Sequence, residues 1–130
     1  MSKNVGIKWL PEPEENNYPA AESYLSLIYG RTTVKTIVTK LRSAQLTQFK
    51  AKDIFRASGL SLLGISNYHV EKDQKKIEDG KHLSPILLVR DECNGKVIIA
   101  DGYHRLCAVY SFDEDESIPC KIVSNNTTNQ

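Results

Sequence analysis

A β-branched run, Val97-Ile98-Ile99, passes through Asp101-Gly102 into a stretch whose apolar residues, Leu106, Cys107, Val109 and Tyr110, fall on one side of a helix. Apolar β-branched residues without alternation read as a buried strand, and the period then lengthens to that of a helix. A buried strand therefore runs straight into a helix, with Asp101-Gly102 as the turn. Gly102 supplies dihedrals, or a close backbone approach, that a side chain forbids. Unpaired N–H groups of the first helical turn point into that corner with His104 and Arg105 beside them, the arrangement that cradles a phosphate. Asp-Gly before a helix also serves as a plain tight turn with a capping carboxylate, and His-Arg as a solvated first turn.

The flanking segments extend the pattern. Leu83-Ser84-Pro85-Ile86-Leu87-Leu88-Val89-Arg90 reads as a strand entered through a proline, Asp91 to Gly95 as a hairpin turn containing Asn-Gly, and Ser117 to Val123 as a further short strand. The order strand, hairpin, strand, helix, strand, with Gly102-Tyr103-His104-Arg105 at the helix start, resembles the ParB/sulfiredoxin-like superfamily over roughly Ile65 to Val123. The resemblance implies an α+β fold with a small mixed β-sheet core, here with additional N-terminal helices. It also implies a nucleotide whose phosphates sit at Gly102, His104 and Arg105. Sulfiredoxins resemble Gly-Cys-His-Arg, with a nucleophilic cysteine where this chain has Tyr103, so sulfinic-acid repair is not implied. Asp-Gly-x-His-Arg is most similar to the free-serine kinase branch.

At 130 residues the chain is long enough for one core that buries roughly two thirds of the unfolded surface. Domain boundaries are expected at an extended arm over 1–18, a single domain over 19–123 whose helical part covers 19–64, and a frayed tail over 124–130. A net charge of +1 provides no field to steer the chain to nucleic acid. Sequence-specific DNA binding by this chain alone is therefore not expected. No apolar stretch approaches the ~20 residues of a membrane span, and a cytoplasmic location is expected. Cys93, Cys107 and Cys120 lack Cys-x-x-Cys spacing, which favours neither a disulfide framework nor a zinc site.

Along the chain, Trp9 and Leu10 interrupt a polar arm and are expected to pack back on the domain. Pro19 suits the first turn of a helix running to about Tyr29, where Gly30 stops it. Val34, Ile37, Val38 and Leu41 mark a second helix, with Thr32 and Thr33 as capping candidates. Leu46 to Gly59 reads as a third, with Ile54 and Phe55 inward. Together these predict an all-helical N-terminal half. Leu60 to Gly64 reads as an apolar link, Ile65 to Val70 as a weak strand, and Glu71 to Asp79 as a short polar helix anchored by Ile77.

Candidate chemistry gathers at the Asp101 corner. Arg105 is a candidate to grip a phosphate in bidentate fashion, His104 to donate to it or shuttle a proton, or else a capped or surface residue, and Tyr103 to stack on a base, line the cleft or serve as ordinary packing at a helix start. Asp101 is a candidate Mg²⁺ ligand, a proton acceptor, or a helix cap. The resemblance places Glu71, together with His69, roughly where the serine kinases carry a glutamate, so either is a second candidate proton acceptor, with a helix-start charge as the other reading of Glu71, and it places Ser84 where related proteins line the ligand cleft. Walker, Rossmann and Ser-His-Asp patterns do not stand out. The expected ligand is a nucleoside triphosphate or diphosphate with Mg²⁺. The function classes in play are phosphoryl transfer or hydrolysis, with a small-molecule or protein acceptor, a non-catalytic nucleotide-binding regulatory or interaction module, and a DNA-associated ParB-like protein.

Overall fold

The computed structural model describes residues 6–61 and 67–126. In order they form α1 (Asn17–Leu25), α2 (Arg31–Ser43), β1 (Thr47–Lys50), α3 (Ala51–Ser58), α4 (Tyr68–Glu78), β2 (Ile86–Asp91), β3 (Lys96–Asp101), α5 (Tyr103–Phe112) and β4 (Ser117–Ser124). The strands make one mixed sheet in the order β1-β4-β2-β3, in which β2 and β4 are parallel and the other pairs antiparallel. The fold class is α+β.

Both faces of the central strands are covered, and this explains the apolar runs without alternation. Leu87, Val89, Ile98 and Ala100 meet Ala21, Leu25, Val34 and Ile37 of α1 and α2. Ile86, Leu88, Ile99 and Cys120 meet Ile54, Val70, Leu106 and Val109 of α3, α4 and α5. The hairpin between β2 and β3 is held by buried Asp91, whose carboxylate accepts from Asn94 Nδ2 at 2.8 Å and from Asn125 Nδ2 at 3.3 Å. Gly95 takes the left-handed conformation that this turn requires, at φ +63°.

The arm packs back as expected. Trp9 bridges to Leu83, the Leu10 N–H donates to the Leu83 carbonyl at 2.8 Å, and Trp9 packs against the core.

Several local expectations are corrected. Residues 46–59 are not one helix: Thr47–Lys50 is an exposed edge strand paired to β4, and only Ala51–Ser58 is helical. The helical period in this stretch is overridden by the open edge of β4, and the expected all-helical N-terminal half thereby contributes a fourth strand. Thr32 and Thr33 do not cap α2, which starts at Arg31 behind an extended Gly30. Tyr68, His69 and Val70 are the first turn of α4 rather than strand, because the Asn67 side chain caps it by accepting from His69 N at 2.9 Å and Val70 N at 3.2 Å. Ile65 and Ser66 of that expected strand, and Leu62 to Gly64 of the expected link, lie outside the described residues. The first helix ends at Leu25, short of Tyr29.

The Asp91 carboxyl is held below its usual range, chiefly by the hydrogen bond from Asn94. A depressed folded-state pKa adds stability above the unfolded value, which disappears as pH falls through the folded one. Urea midpoints measured from pH 5 downward should therefore fall more steeply in the wild type than in Asp91→Ala, and parallel curves would show that this carboxylate does not hold the hairpin.

Candidate anion-binding cleft

Gly102 ends β3 and begins α5 with φ +116° and ψ 15°, and a Cβ built there would lie 2.8 Å from Ile86 Cγ1. Glycine is required twice, by the backbone conformation and by the closeness of β2. This tight corner starts α5 against the sheet with no side chain capping its first turn.

Asp101 does not serve as that cap. Its Oδ2 accepts from Arg105 Nη2 at 3.1 Å, with both side chains mostly buried. Burial pushes the Asp101 carboxyl up, and the adjacent guanidinium works against that shift. Arg105 Nη2 also lies 3.4 Å from Asn17 Oδ1 and 3.5 Å from the Pro85 carbonyl, while its Nε is buried without a partner. Ser84 belongs to the same interior chain: its hydroxyl donates to Asn17 Oδ1 at 2.5 Å and accepts from the Glu14 N–H at 3.0 Å. A line of polar groups thus connects the N-terminal arm, through Ser84 and Asn17, to Arg105. Ser84 lies in this line and not in the cleft wall.

The second wall is α4. Its anchors Val70 and Ile77 pack in the same core as Leu106, and Gln74 Nε2 donates to Ser111 Oγ at 2.6 Å. That packing turns His69, Lys72, Asp73 and Lys76 toward residues 101–105 across an open cleft of about 160 Å³. Glu71 is exposed and lies outside this wall, so the proton acceptor expected there is replaced in position by His69 and Asp73.

Lys72, Asp73 and Lys76 were not singled out from sequence. With His69 they recur at helical spacing, a stripe that becomes visible once Asn67 is taken as a cap.

The His69 and His104 rings stand 4.8 Å apart at 44°. His104 is held below the usual histidine range by burial first, then by His69 and Arg105, with Asp73 opposing. Burial raises the Asp73 carboxyl against the pull of Lys76, whose Nζ is 3.9 Å away. The Tyr103 hydroxyl donates to the Ser61 carbonyl, which lays its ring along the rim.

Beyond that rim lies a second recess of about 290 Å³, sharing residues 101–104 with the cleft and lined otherwise by Ala20, Tyr24, Leu60, Ile99 and Ala100. Tyr24 and Leu60 are large apolar side chains left 44% and 45% exposed at its mouth. A polar, cation-rich cleft and an apolar recess therefore meet at the start of one helix.

Comparisons with protein-family models, with curated proteins and with solved structures give no match.

Gly102→Ala should lower stability by about 1–3 kcal/mol from backbone strain alone, with the Ile86 overlap added to it. Gly95→Ala, at φ +63° with nothing within 4 Å of its Cβ, is the control for strain without overlap. Urea denaturation of both should rank Gly102→Ala as the more damaging; equal losses would deny the close approach to β2 its role.

Proposed function

We propose that this chain binds a nucleoside polyphosphate, its phosphates in the cleft between α4 and α5 and its base in the apolar recess across Tyr103. One observation carries the reading: the uncapped start of α5 opens between His104 and the Lys72–Lys76 wall, and the adjoining recess is apolar and edged by Tyr24 and Leu60. Backbone N–H groups at a helix start attract an anion, and charge-assisted hydrogen bonds add about 1.5–3 kcal/mol each. An aromatic rim beside such a site gives a base a surface to stack on. The resemblance of Gly102-Tyr103-His104-Arg105 to the ParB/sulfiredoxin-like signature supports the same corner.

The division of labour differs from a simple arginine clamp. Arg105 Nη2 already holds Asp101 and approaches Asn17 and the Pro85 carbonyl, so in this reading its first task is to fix the corner. Lys72 and Lys76 are exposed on the opposite wall and follow the phosphates.

Asp101, the candidate Mg²⁺ ligand, has an oxygen engaged by Arg105, and no group of three or more His, Cys, Asp or Glu is placed to hold a metal among the described residues. A Mg²⁺ arriving with the nucleotide would be held chiefly by the phosphates and water, with Asp101 as at most one protein ligand, and the cations of the cleft suffice for binding in this reading.

Phosphoryl transfer to a small-molecule or protein acceptor is a second reading, favoured by His104, which burial keeps in its proton-accepting form beside the cleft. Duplex DNA is not favoured by a concave site of small-ligand size.

Calorimetry with ATP, CTP, GTP and ADP tests the reading. Lys72→Ala combined with Lys76→Ala should weaken the best-bound nucleotide about 10-fold or more, a change of ~1.4 kcal/mol or above. Both lysines are exposed, so the thermal midpoint should hardly change. Arg105→Ala, by contrast, should lower stability as well as affinity, because it leaves the Asp101 carboxyl mostly buried and unpaired. Binding should persist in EDTA. Failure of all four nucleotides to bind would remove the proposal, and loss of the terminal phosphoryl group of a bound triphosphate to a supplied acceptor or to water, abolished in His104→Gln, would favour turnover, as transfer or as hydrolysis respectively.

A further inference from the structure

We propose that anion binding in this cleft is coupled to proton uptake at His104, with His69 across the cleft setting the pH at which the coupling acts. The inference rests on the anion-binding reading above and adds a regulation of that site. It stands on the placement of two imidazoles from different helices, His69 in the first turn of α4 and His104 in the first turn of α5, with ring centroids 4.8 Å apart on the same cleft.

Each group facing the pair has a known sign. From α4, Lys72 and Lys76 are positive and Asp73 negative; from α5, Arg105 is positive; from β3, Asp101 is negative and engaged by Arg105. Tyr68 packs edge-on against His69, and Tyr103 tilts against His104 at 5.6 Å. Without an anion, permanent cations outnumber carboxylates around His104, and the neutral ring is favoured by burial and by its neighbours. An arriving dianion inverts the local field. The proton that was unfavourable on His104 then lies against two negative charges, and the imidazolium becomes a hydrogen-bond donor to the ligand. Linkage requires the reciprocal effect: if the bound state holds more protons than the empty one, affinity rises as pH falls.

The two histidines have unequal roles. His104 shares its turn with the uncapped N–H groups of α5 and receives the proton. His69 opposes that proton in the empty cleft, and so it is a positioning residue for the pH range and not the receiving group.

Sulfate is the probe, because it remains a dianion throughout the range and any pH dependence must come from the protein. Sulfate affinity is read by NMR titration from pH 8.5 to 6.5, and the His104 ring is followed through its own titration with and without saturating sulfate. One proton taken up per anion gives an affinity change approaching about 10-fold per pH unit where uptake is complete, so a rise of about 10-fold or more is expected across the range. Sulfate should also move the His104 midpoint to higher pH. His104→Gln should flatten the dependence to less than about 3-fold. His69→Gln should keep the coupling but shift its midpoint upward, a change that a merely structural role would not produce. His82→Gln, outside the cleft lining, should behave as wild type.

Sulfate that binds with the same affinity at every pH, without moving the His104 midpoint, overturns the coupling and leaves the anion site standing. If neither sulfate nor any nucleotide binds at any pH, the anion site itself falls and the coupling with it.

Discussion

The close approach of Gly102 to Ile86 is the contact on which the rest of the site depends. It lets β3 turn directly into α5 at a distance where a single Cβ would overlap β2. Because that corner is tight, Arg105, one turn along α5, reaches back under it to Asp101, Asn17 and the Pro85 carbonyl. The guanidinium is mostly buried, and its partners come from three separate segments: the end of β3, the start of α1 and the entry to β2. A charge so placed is tolerable only while those partners remain, so the corner ties sheet, arm and helix together at one point. The exposed end of α5 inherits its orientation from this interior contact.

Charge at the cleft is divided by burial. Asp101 and Arg105 neutralise each other beneath the surface, while Lys72 and Lys76 remain exposed on α4. His104 sits between these layers, close enough to the interior for burial to favour its neutral form and close enough to the cleft to meet a ligand. Such an intermediate position makes a histidine responsive: a fully solvated ring would feel little of a ligand's field through screening, and a fully buried one would have no ligand beside it.

The sequence foretold the elements whose pattern is local and strong. Val34, Ile37, Val38 and Leu41 mark a helix by spacing, Asn94-Gly95 marks a hairpin, and Asp101-Gly102 separates strand from helix; all three are observed. What escaped depends on contacts remote in sequence. Thr47–Lys50 becomes a strand because β4, about seventy residues later, presents an edge to it, with Phe49 opposite Ile118. The α4 wall escaped for a smaller reason, a one-residue cap: with Asn67 overlooked, Tyr68-His69-Val70 passes for a strand, and the stripe from His69 to Lys76 loses its common face. Asp101 illustrates a limit of another kind. Cap and ion-pair partner call for the same carboxylate at the same position, and only the side chain's direction separates them.

The short motif around Gly102 therefore divides into two sets of residues with different physics. Asp101, Gly102 and Arg105 face inward and set geometry, and their chemical identity is constrained by overlap, pairing and burial whether or not anything binds. Tyr103 and His104 face the recess and the cleft, although the Tyr103 ring also packs on the core and its hydroxyl donates to the Ser61 carbonyl. A resemblance carried by Gly-x-His-Arg thus bears mainly on the shape of the corner. The ligand chemistry proposed here is carried by His104, by Tyr103, and by a helix outside the motif altogether.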